Sequence, residues 1–320
     1  GSADATARIL QGCRDPRLRV VPISHAGLIG ALNAGMAHCS GTFVARMDAD
    51  DLSRPDRLAL QIEYLHKHPE VDLVTCWSDL INEHDQLVGR MTGGVGDDMI
   101  LELASGNQIV HGSIVVRRAA LPPNPVYTEP PEDYRLWVGM AREGRRFHAI
   151  PEPLYAFRTH SMRYSLTQAV SQCRGIVDVE WPLLEECSAS RDLTDPHVRA
   201  CLIRGWGSIA GAAYRAGDHG RGNEARRRSI LLADGTWNSE VDEAARHGIE
   251  AMIWGGCPWP EALALRWREW RQRPIAWVSY RNLLLALPPV RKLHSLIRGG
   301  AYEPGFRPQP RRAGWRQPPE

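Results

Sequence analysis

Apolar residues in the first 80 positions alternate between helical stripes and short continuous runs. Two stripes, with apolar residues three or four positions apart, predict helices over residues 27–39 and after Ser53. Apolar runs at residues 43–45 and 71–77 predict a buried strand after each helix. The stripe residues are Leu28, Leu32 and Met36 in the first helix and Leu58, Ile62 and Leu65 in the second. Because helix and strand alternate, the pattern favours parallel strands in a doubly wound α/β sheet.

The remaining pattern divides the chain into three predicted segments. Further short strands are predicted at residues 17–22, 114–116, 147–150 and 154–157, and a helix from about Asp133 to Arg142. From about residue 166 the pattern is helical, with a hairpin over residues 198–215 and 221–233 and another helix over 239–254. We therefore expect a sheet domain over residues 1–165, a helical domain over 166–265 and a basic, partly disordered tail over 266–320.

Composition narrows the class of protein. The 320 residues are 43% hydrophobic and 24% charged, which is typical of a soluble globular chain. No apolar run reaches the roughly 18 residues that a membrane-spanning helix needs. The seven cysteines are scattered without a Cys-x-x-Cys pair, which argues against a zinc site or a disulfide framework and favours a reducing cytoplasm.

The tail, residues 266–320, is strongly basic. Residues 266–320 carry twelve arginines and lysines against Glu269, Glu303 and Glu320, a net charge of +9 that leaves −7 for the rest of the chain. Trp267, Trp270 and Trp277 are interleaved with arginines there, as in an amphipathic helix at a membrane surface. A helix that packs these aromatic residues on the protein body would have the same pattern. An anionic membrane surface, with the protein peripheral on the inner face, is the expected partner, and nucleic acid is not.

Candidate metal-binding residues are concentrated where the strand at residues 43–45 ends. Asp48, Asp50 and Asp51 follow it within four positions. Ligands gather at the carboxyl ends of strands in open α/β sheets, and three carboxylates there repel one another unless a cation joins them. Mg²⁺ and Mn²⁺ prefer such oxygen ligands and leave positions open for phosphate. The pattern predicts a metal site that holds a diphosphate; the alternative is an acidic turn that caps the next helix.

Several segments resemble, in order, the motifs of family 2 glycosyltransferases. They are Gly1 to Thr6 for the end of "DDGSxDxT", Asn33-Ala34-Gly35 for "RNxG", Asp48 to Asp51 with Pro55, Arg57, Leu58 and Gln61 for "DADDxxxPxRLxxQ", Glu132-Asp133 with Leu136-Trp137 for "EDxxLW", and Phe157 to His160 for "YRxH". Leu32 and Phe157 depart from the motifs, which have Arg and Tyr there. The resemblance covers residues 1–165 and implies an α/β, GT-A (Rossmann-like) nucleotide-sugar-binding domain. Family members begin with a strand like "VSVIIPxYN", so we expect this domain to lack its first strands, with an α-helical region following it.

The resemblance also implies roles for individual residues. Asp50 is the expected direct ligand of Mg²⁺ or Mn²⁺, with Asp48 on the metal or the ribose and His160 completing the metal shell. Asp133 resembles the catalytic base, and Glu132 would orient the acceptor. Arg158 on the diphosphate and His111 lining the cleft, with Asp48, are the candidate substrate-binding residues. Arg54 and Arg57 are expected to be solvated or salt-bridged.

Three functions are compatible with these residues. The first is a metal-dependent, inverting glycosyltransferase that moves a sugar from a nucleotide-sugar donor to a hydroxyl of a saccharide or lipid-linked acceptor, in cell-surface polysaccharide or glycolipid synthesis. The second is a nucleotidyltransferase, which would share a sheet and an acidic metal site. The third is a catalytically impaired scaffold or interaction protein.

Overall fold

The computed structural model describes residues 1–159 and 169–233. The predicted helix at residues 239–254, the tail and His160 lie outside them. Helices are α1 (Thr6–Gly12), α2 (Gly27–Ala37), α3 (Arg57–Lys67), α4 (Met99–Ala104), α5 (Glu132–Arg142), α6 (Ala169–Ser190), α7 (Pro196–Arg215) and α8 (His219–Ala233). Strands are β1 (Phe43–Ala45), β2 (Leu52–Ser53), β3 (Leu73–Ile81), β4 (Leu87–Met91), β5 (Val115–Arg117) and β6 (Phe147–Arg158).

The sheet is mixed, so the expectation of parallel strands throughout was wrong. Its order is β1-β5-β3-β6-β2, with β4 paired to β3 beside this path. Among the strands of the described residues, only β3 and β6 pair in parallel. Strands β1 and β3 do run in the same direction, but β5 lies between them and is antiparallel to both. The α/β class is confirmed, because helices and strands still alternate through α2, β1, α3 and β3.

Two predicted strands take a different form. Residues 17–22 form no strand: they lie at the surface, and no described strand offers them a neighbour to pair with. The two short strands at residues 147–150 and 154–157 are one strand, β6, which spans 12 residues. Its register against β3 shifts around Trp77, which explains why the apolar pattern is interrupted at Pro151 to Pro153.

The main hydrophobic core joins the helical region to the sheet-bearing part of the chain. Trp137 and Tyr134 of α5 lie in one buried cluster with Leu184 of α6 and Trp206 of α7. The predicted helical hairpin is confirmed as α7 and α8, which pack against each other. The predicted boundary at residue 165 stays a prediction. Within the described residues, no helix is both long and apolar enough to cross a membrane.

Helix α7 approaches the end of α4 so closely that only glycine fits at the contact. A Cβ on Gly205 would stand 2.0 Å from the carbonyl oxygen of Ala104. Carbonyl oxygen is part of the backbone, so it cannot swing aside as a flexible side chain would. The two helices would have to separate to accept even one methyl group.

We predict that Gly205→Ala lowers the free energy of unfolding by about 1–3 kcal/mol, because overpacking outweighs the gain in helix propensity. Gly139→Ala is the matched control, since Gly139 is an exposed position of α5 with nothing within 4 Å of an added Cβ. It should stabilise the protein by about 0.5–1 kcal/mol. Urea unfolding measures both, and equal stability of the two variants would contradict the close contact.

Candidate active site

The turn that follows β1 is fixed to β6 by hydrogen bonds. We call residues 48–51 the acid turn. The carboxylate of Asp51 is buried and accepts the Tyr155 O–H at 2.6 Å and the backbone N–H of Arg158 at 2.8 Å. The backbone N–H of Asp48 donates to the Tyr155 oxygen at 3.2 Å. Burial raises the pKa of Asp51 to about 6, although both of its hydrogen bonds lower it. Asp51 therefore anchors the turn.

The acid turn does not cap the next helix. Helix α3 begins at Arg57 after Asp56, and no side chain caps its N-terminus. Arg54 forms the exposed ion pairs expected of it, with Asp56 at 2.6 Å and Glu152 at 3.2 Å. The capping alternative is thus excluded by the geometry of this turn.

Arg46 is a site residue that sequence reasoning missed. Its guanidinium pairs with the carboxylate of Asp48, and its side chain is only 12% exposed. Burial raises the pKa of Asp48, and the charge of Arg46 opposes this rise. The signal was present in the sequence: residues two apart at a strand end share a face, so Arg46 and Asp48 point the same way.

The second acidic motif meets the first around the same arginine. Glu132 and Asp133 occupy the first turn of α5. Asp133 accepts the side-chain N–H of Asn107 at 3.0 Å and the backbone N–H of Tyr134 at 2.7 Å. Burial raises the pKa of both acids, and the charge of Arg46 lowers both. Asp48 also acts electrostatically on Glu132, so the acid turn and the start of α5 are both under the influence of the Arg46 charge.

His111 enters this site because β5 is antiparallel to β1. Ala45 at the end of β1 lies opposite Val115 at the start of β5, so the residues before β5 reach the edge where the acid turn lies. His111 is buried, and its Nε2 lies 2.9 Å from the hydroxyl of Tyr127. Burial and the charge of Arg46 hold the pKa of His111 well below 6.5. It is therefore a neutral imidazole at neutral pH.

Arg158 also contacts the acid turn through its side chain. Its Nε donates to the carbonyl of Asp50 at 2.7 Å, and its Nη1 donates to the carbonyl of Asn82 at 3.0 Å. The same guanidinium pairs with Asp85 at 2.6 Å, in the turn between β3 and β4. These contacts join the acid turn to that hairpin. Contact between Arg158 and a diphosphate stays a prediction.

Two motif residues on α3, Arg57 and Gln61, hold the backbone next to His111. Arg57 is 2% exposed, so the expectation that it is solvated or salt-bridged was wrong. It donates to Ser53 Oγ at 2.8 Å and to the carbonyl of Gly112 at 3.3 Å, and it stacks on the Tyr155 ring. The amide of Gln61 donates to the carbonyl of Ser113 at 2.8 Å. Helix α3 therefore fixes the loop that carries His111.

Asn33 plays a similar role from α2. Its side-chain amide donates to the carbonyl of Tyr127 at 2.7 Å, and its side-chain oxygen accepts the N–H of Tyr127 at 2.9 Å. This double contact fixes the middle of the loop that precedes α5. The hydroxyl of the same tyrosine meets His111, so Asn33 positions that hydrogen bond as well.

We predict that Tyr155→Phe lowers the free energy of unfolding by about 1–3 kcal/mol, because the buried carboxylate of Asp51 loses a donor. Tyr64→Phe is the control: Tyr64 is partly exposed and stacks its ring on His148, and this variant should change stability by less than about 0.5 kcal/mol. Urea unfolding measures both. A Tyr155→Phe variant as stable as the parent would show that the hydroxyl does not hold the turn.

Comparison with known proteins agrees with the geometry. A family model described as "Glycosyl transferase family 2" matches residues 1–121. The chain is 32% identical to the "Putative glycosyltransferase EpsE" of Bacillus subtilis over 188 residues, which are 55% of this chain and 67% of that protein. It is 31% identical to the "Amylovoran biosynthesis glycosyltransferase AmsE" of Erwinia amylovora, over 45% of this chain and 55% of that one.

A third relative is the "O-antigen biosynthesis glycosyltransferase WbnJ" of Escherichia coli, 26% identical over 46% of this chain and 59% of that protein. The chain thus spans between about half and two thirds of the length of these relatives. The family model covers Asn33 and the acid turn, and it ends before α5. The mixed sheet with its flanking helices has the GT-A-like α/β fold, and the chain belongs to glycosyl transferase family 2.

Proposed function

We propose that the chain is a metal-dependent, inverting glycosyltransferase that moves a sugar from a nucleotide-sugar donor to a hydroxyl of a saccharide or lipid-linked acceptor. The observation that carries the proposal is the meeting of the acid turn and the α5 acids around Arg46. Two relatives are named for the biosynthesis of amylovoran and of O-antigen. These names support a role in making a cell-surface polysaccharide or glycolipid.

The acid turn has the donor set that a hard divalent cation requires. Asp51 is buried and uses both carboxylate oxygens within the protein, which leaves Asp48 and Asp50 to offer oxygen ligands. Asp50 lies at the surface and Asp48 is half-buried, so the pair opens towards solvent. Mg²⁺ or Mn²⁺ would be held by these two residues, with His160 the further ligand expected from the sequence. Such an ion supplies the positive charge that a departing nucleoside diphosphate needs.

Asp133 is suited to take the proton of the acceptor hydroxyl. Burial raises its pKa, which strengthens it as a base, while Arg46 and the hydrogen bonds from Asn107 and Tyr134 favour its ionised form. As the hydroxyl oxygen bonds to the anomeric carbon, its proton passes to Asp133 and the bond from that carbon to the diphosphate oxygen breaks. A single displacement inverts the anomeric configuration. Glu132, one residue earlier on α5, would orient the acceptor.

A direct test is incubation of the protein with Mn²⁺, an acceptor mixture and a panel of nucleotide-sugars. Release of a nucleoside diphosphate with transfer of the sugar supports the proposal, and product stereochemistry by NMR tests inversion. Release of pyrophosphate instead would identify a nucleotidyltransferase. If the protein turns over no donor, and Asp133→Asn behaves as the parent does, the result would favour the third function, that of an interaction protein.

We predict that Asp133→Asn lowers kcat by about 10²–10⁴-fold, because the amide cannot accept the proton, while the affinity for the donor is retained. The matched control is Asp97→Asn, since Asp97 is an exposed carboxylate in the loop before α4. Steady-state kinetics and equilibrium donor binding measure the two effects. A fall in donor affinity with an unchanged kcat would contradict the role of base.

We also predict that chelation abolishes transfer and that added Mn²⁺ or Mg²⁺ restores it. Asp50→Asn should raise the metal concentration for half-maximal activity by at least about 10-fold, because a ligand oxygen is lost. The control is Asp56→Asn, because Asp56 lies six residues after Asp50 and forms an ion pair with Arg54. Electron paramagnetic resonance of free Mn²⁺ measures binding without turnover. Equal Mn²⁺ affinity of parent and Asp50→Asn would exclude Asp50 as a ligand.

A further inference from the structure

Three metal-ligating side chains meet between α4 and α7, outside the candidate active site. His197 and Cys201 are one helical turn apart on α7, and Glu102 faces them from α4. His197 Nε2 lies 3.1 Å from Glu102 Oε1 and 3.7 Å from Cys201 Sγ. One ligand atom from each of the three residues lies within 4.8 Å of the other two.

We propose that Glu102, His197 and Cys201 bind a zinc ion. A tetrahedral Zn²⁺ at about 2.0–2.3 Å from nitrogen, oxygen and sulfur ligands holds neighbouring ligand atoms about 3.2–3.6 Å apart. Two of the three separations, 3.1 and 3.7 Å, match this geometry with shifts of a few tenths of an ångström, and the third is within 4.8 Å. Zinc also suits a mixed set of imidazole, thiolate and carboxylate better than Mg²⁺ or Mn²⁺ does.

Sequence spacing could not reveal this site. The scattered cysteines argued against zinc, because the expected signal is a pair of cysteines close in sequence. Here the spacing of His197 and Cys201 is one turn of helix, and Glu102 is 95 residues away from His197. Only the packing of α4 against α7 brings the three together.

The surroundings order two of the three ligand side chains. Arg204 Nη2 donates to Cys201 Sγ at 3.2 Å, which fixes the position of the sulfur. Gly96 makes room for the carboxylate: a Cβ there would stand 2.7 Å from Glu102 Oε1.

The site is open on one side. Cys201 is fully buried, whereas the side chain of His197 is 51% exposed, so an ion can enter past the imidazole. A water molecule would then complete the four ligands, as in zinc sites with three protein ligands. Bound there, zinc would fasten α4 to α7. Asn107, which donates to Asp133, follows α4 within a few residues, so the same ion would stabilise the segment behind the proposed base.

The test is metal content of the purified full chain after dialysis against metal-free buffer, with Co²⁺ replacing zinc as a spectroscopic probe. We expect one zinc per chain, and a thiolate-to-cobalt charge-transfer band that only a cysteine ligand produces. Cys201→Ser and His197→Ala should both lose the zinc, and Cys201→Ser should lose the band. His197→Ala removes a half-exposed side chain, so it tests the site even if Cys201→Ser folds poorly.

Two controls separate this site from the candidate active site. Cys39→Ser changes a partly exposed thiol far along the chain from α7 and should keep both the zinc and the band. Asp50→Asn should also keep them, whatever its effect on transfer. The proposal is overturned if the parent protein retains no zinc and gives no charge-transfer band with Co²⁺. A band of full intensity in Cys201→Ser would overturn it as well.

Discussion

Mutual repulsion of carboxylates is the constraint on which the site depends. Asp48, Asp50 and Asp51 leave β1 within one turn, and α5 adds Glu132 and Asp133 to the same region. Two kinds of interaction make this arrangement stable. Arg46 supplies a positive charge among the acids, while Tyr155 and the backbone of Arg158 give the buried Asp51 its hydrogen bonds. A divalent cation held there, as we propose, would add to charges that the protein already balances in part.

The motif residues fall into two groups: those that hold the backbone of the site and those whose carboxylates are the proposed ligands or base. Arg57 and Gln61 are buried and bond to backbone carbonyls before β5, so they serve the fold. Asn33 likewise acts on the backbone of Tyr127. Asp48 pairs with Arg46, and Asp133 accepts the side-chain N–H of Asn107, so side-chain contacts hold both of these carboxylates in place. Substituting a residue of the first group should therefore impair stability and activity together.

Sequence patterns predicted α2, α3, α5 and the hairpin of α7 and α8, because amphipathic spacing is a local property, but they did not predict α4. The position of β5 between β1 and β3 was not predicted, because the alternation of helices and strands along the chain does not determine which strands become neighbours in the sheet. Burial of Arg57 was missed for a related reason: a long charged side chain on a helix is ordinarily solvated, and only the tertiary fold supplies carbonyls for it. Arg46 was detectable, because its spacing from Asp48 is that of one strand face. The roles of Asp50, Asp133 and Arg158 require substrate or metal and stay predictions.

The contact between Asn33 and Tyr127 has an evolutionary consequence. It fastens the midpoint of the long connection between β5 and α5, and so divides one loop into two shorter spans. Loops tolerate insertion and sequence change most readily when their ends are fixed. Each span can therefore diversify without moving His111 on one side or the start of α5 on the other.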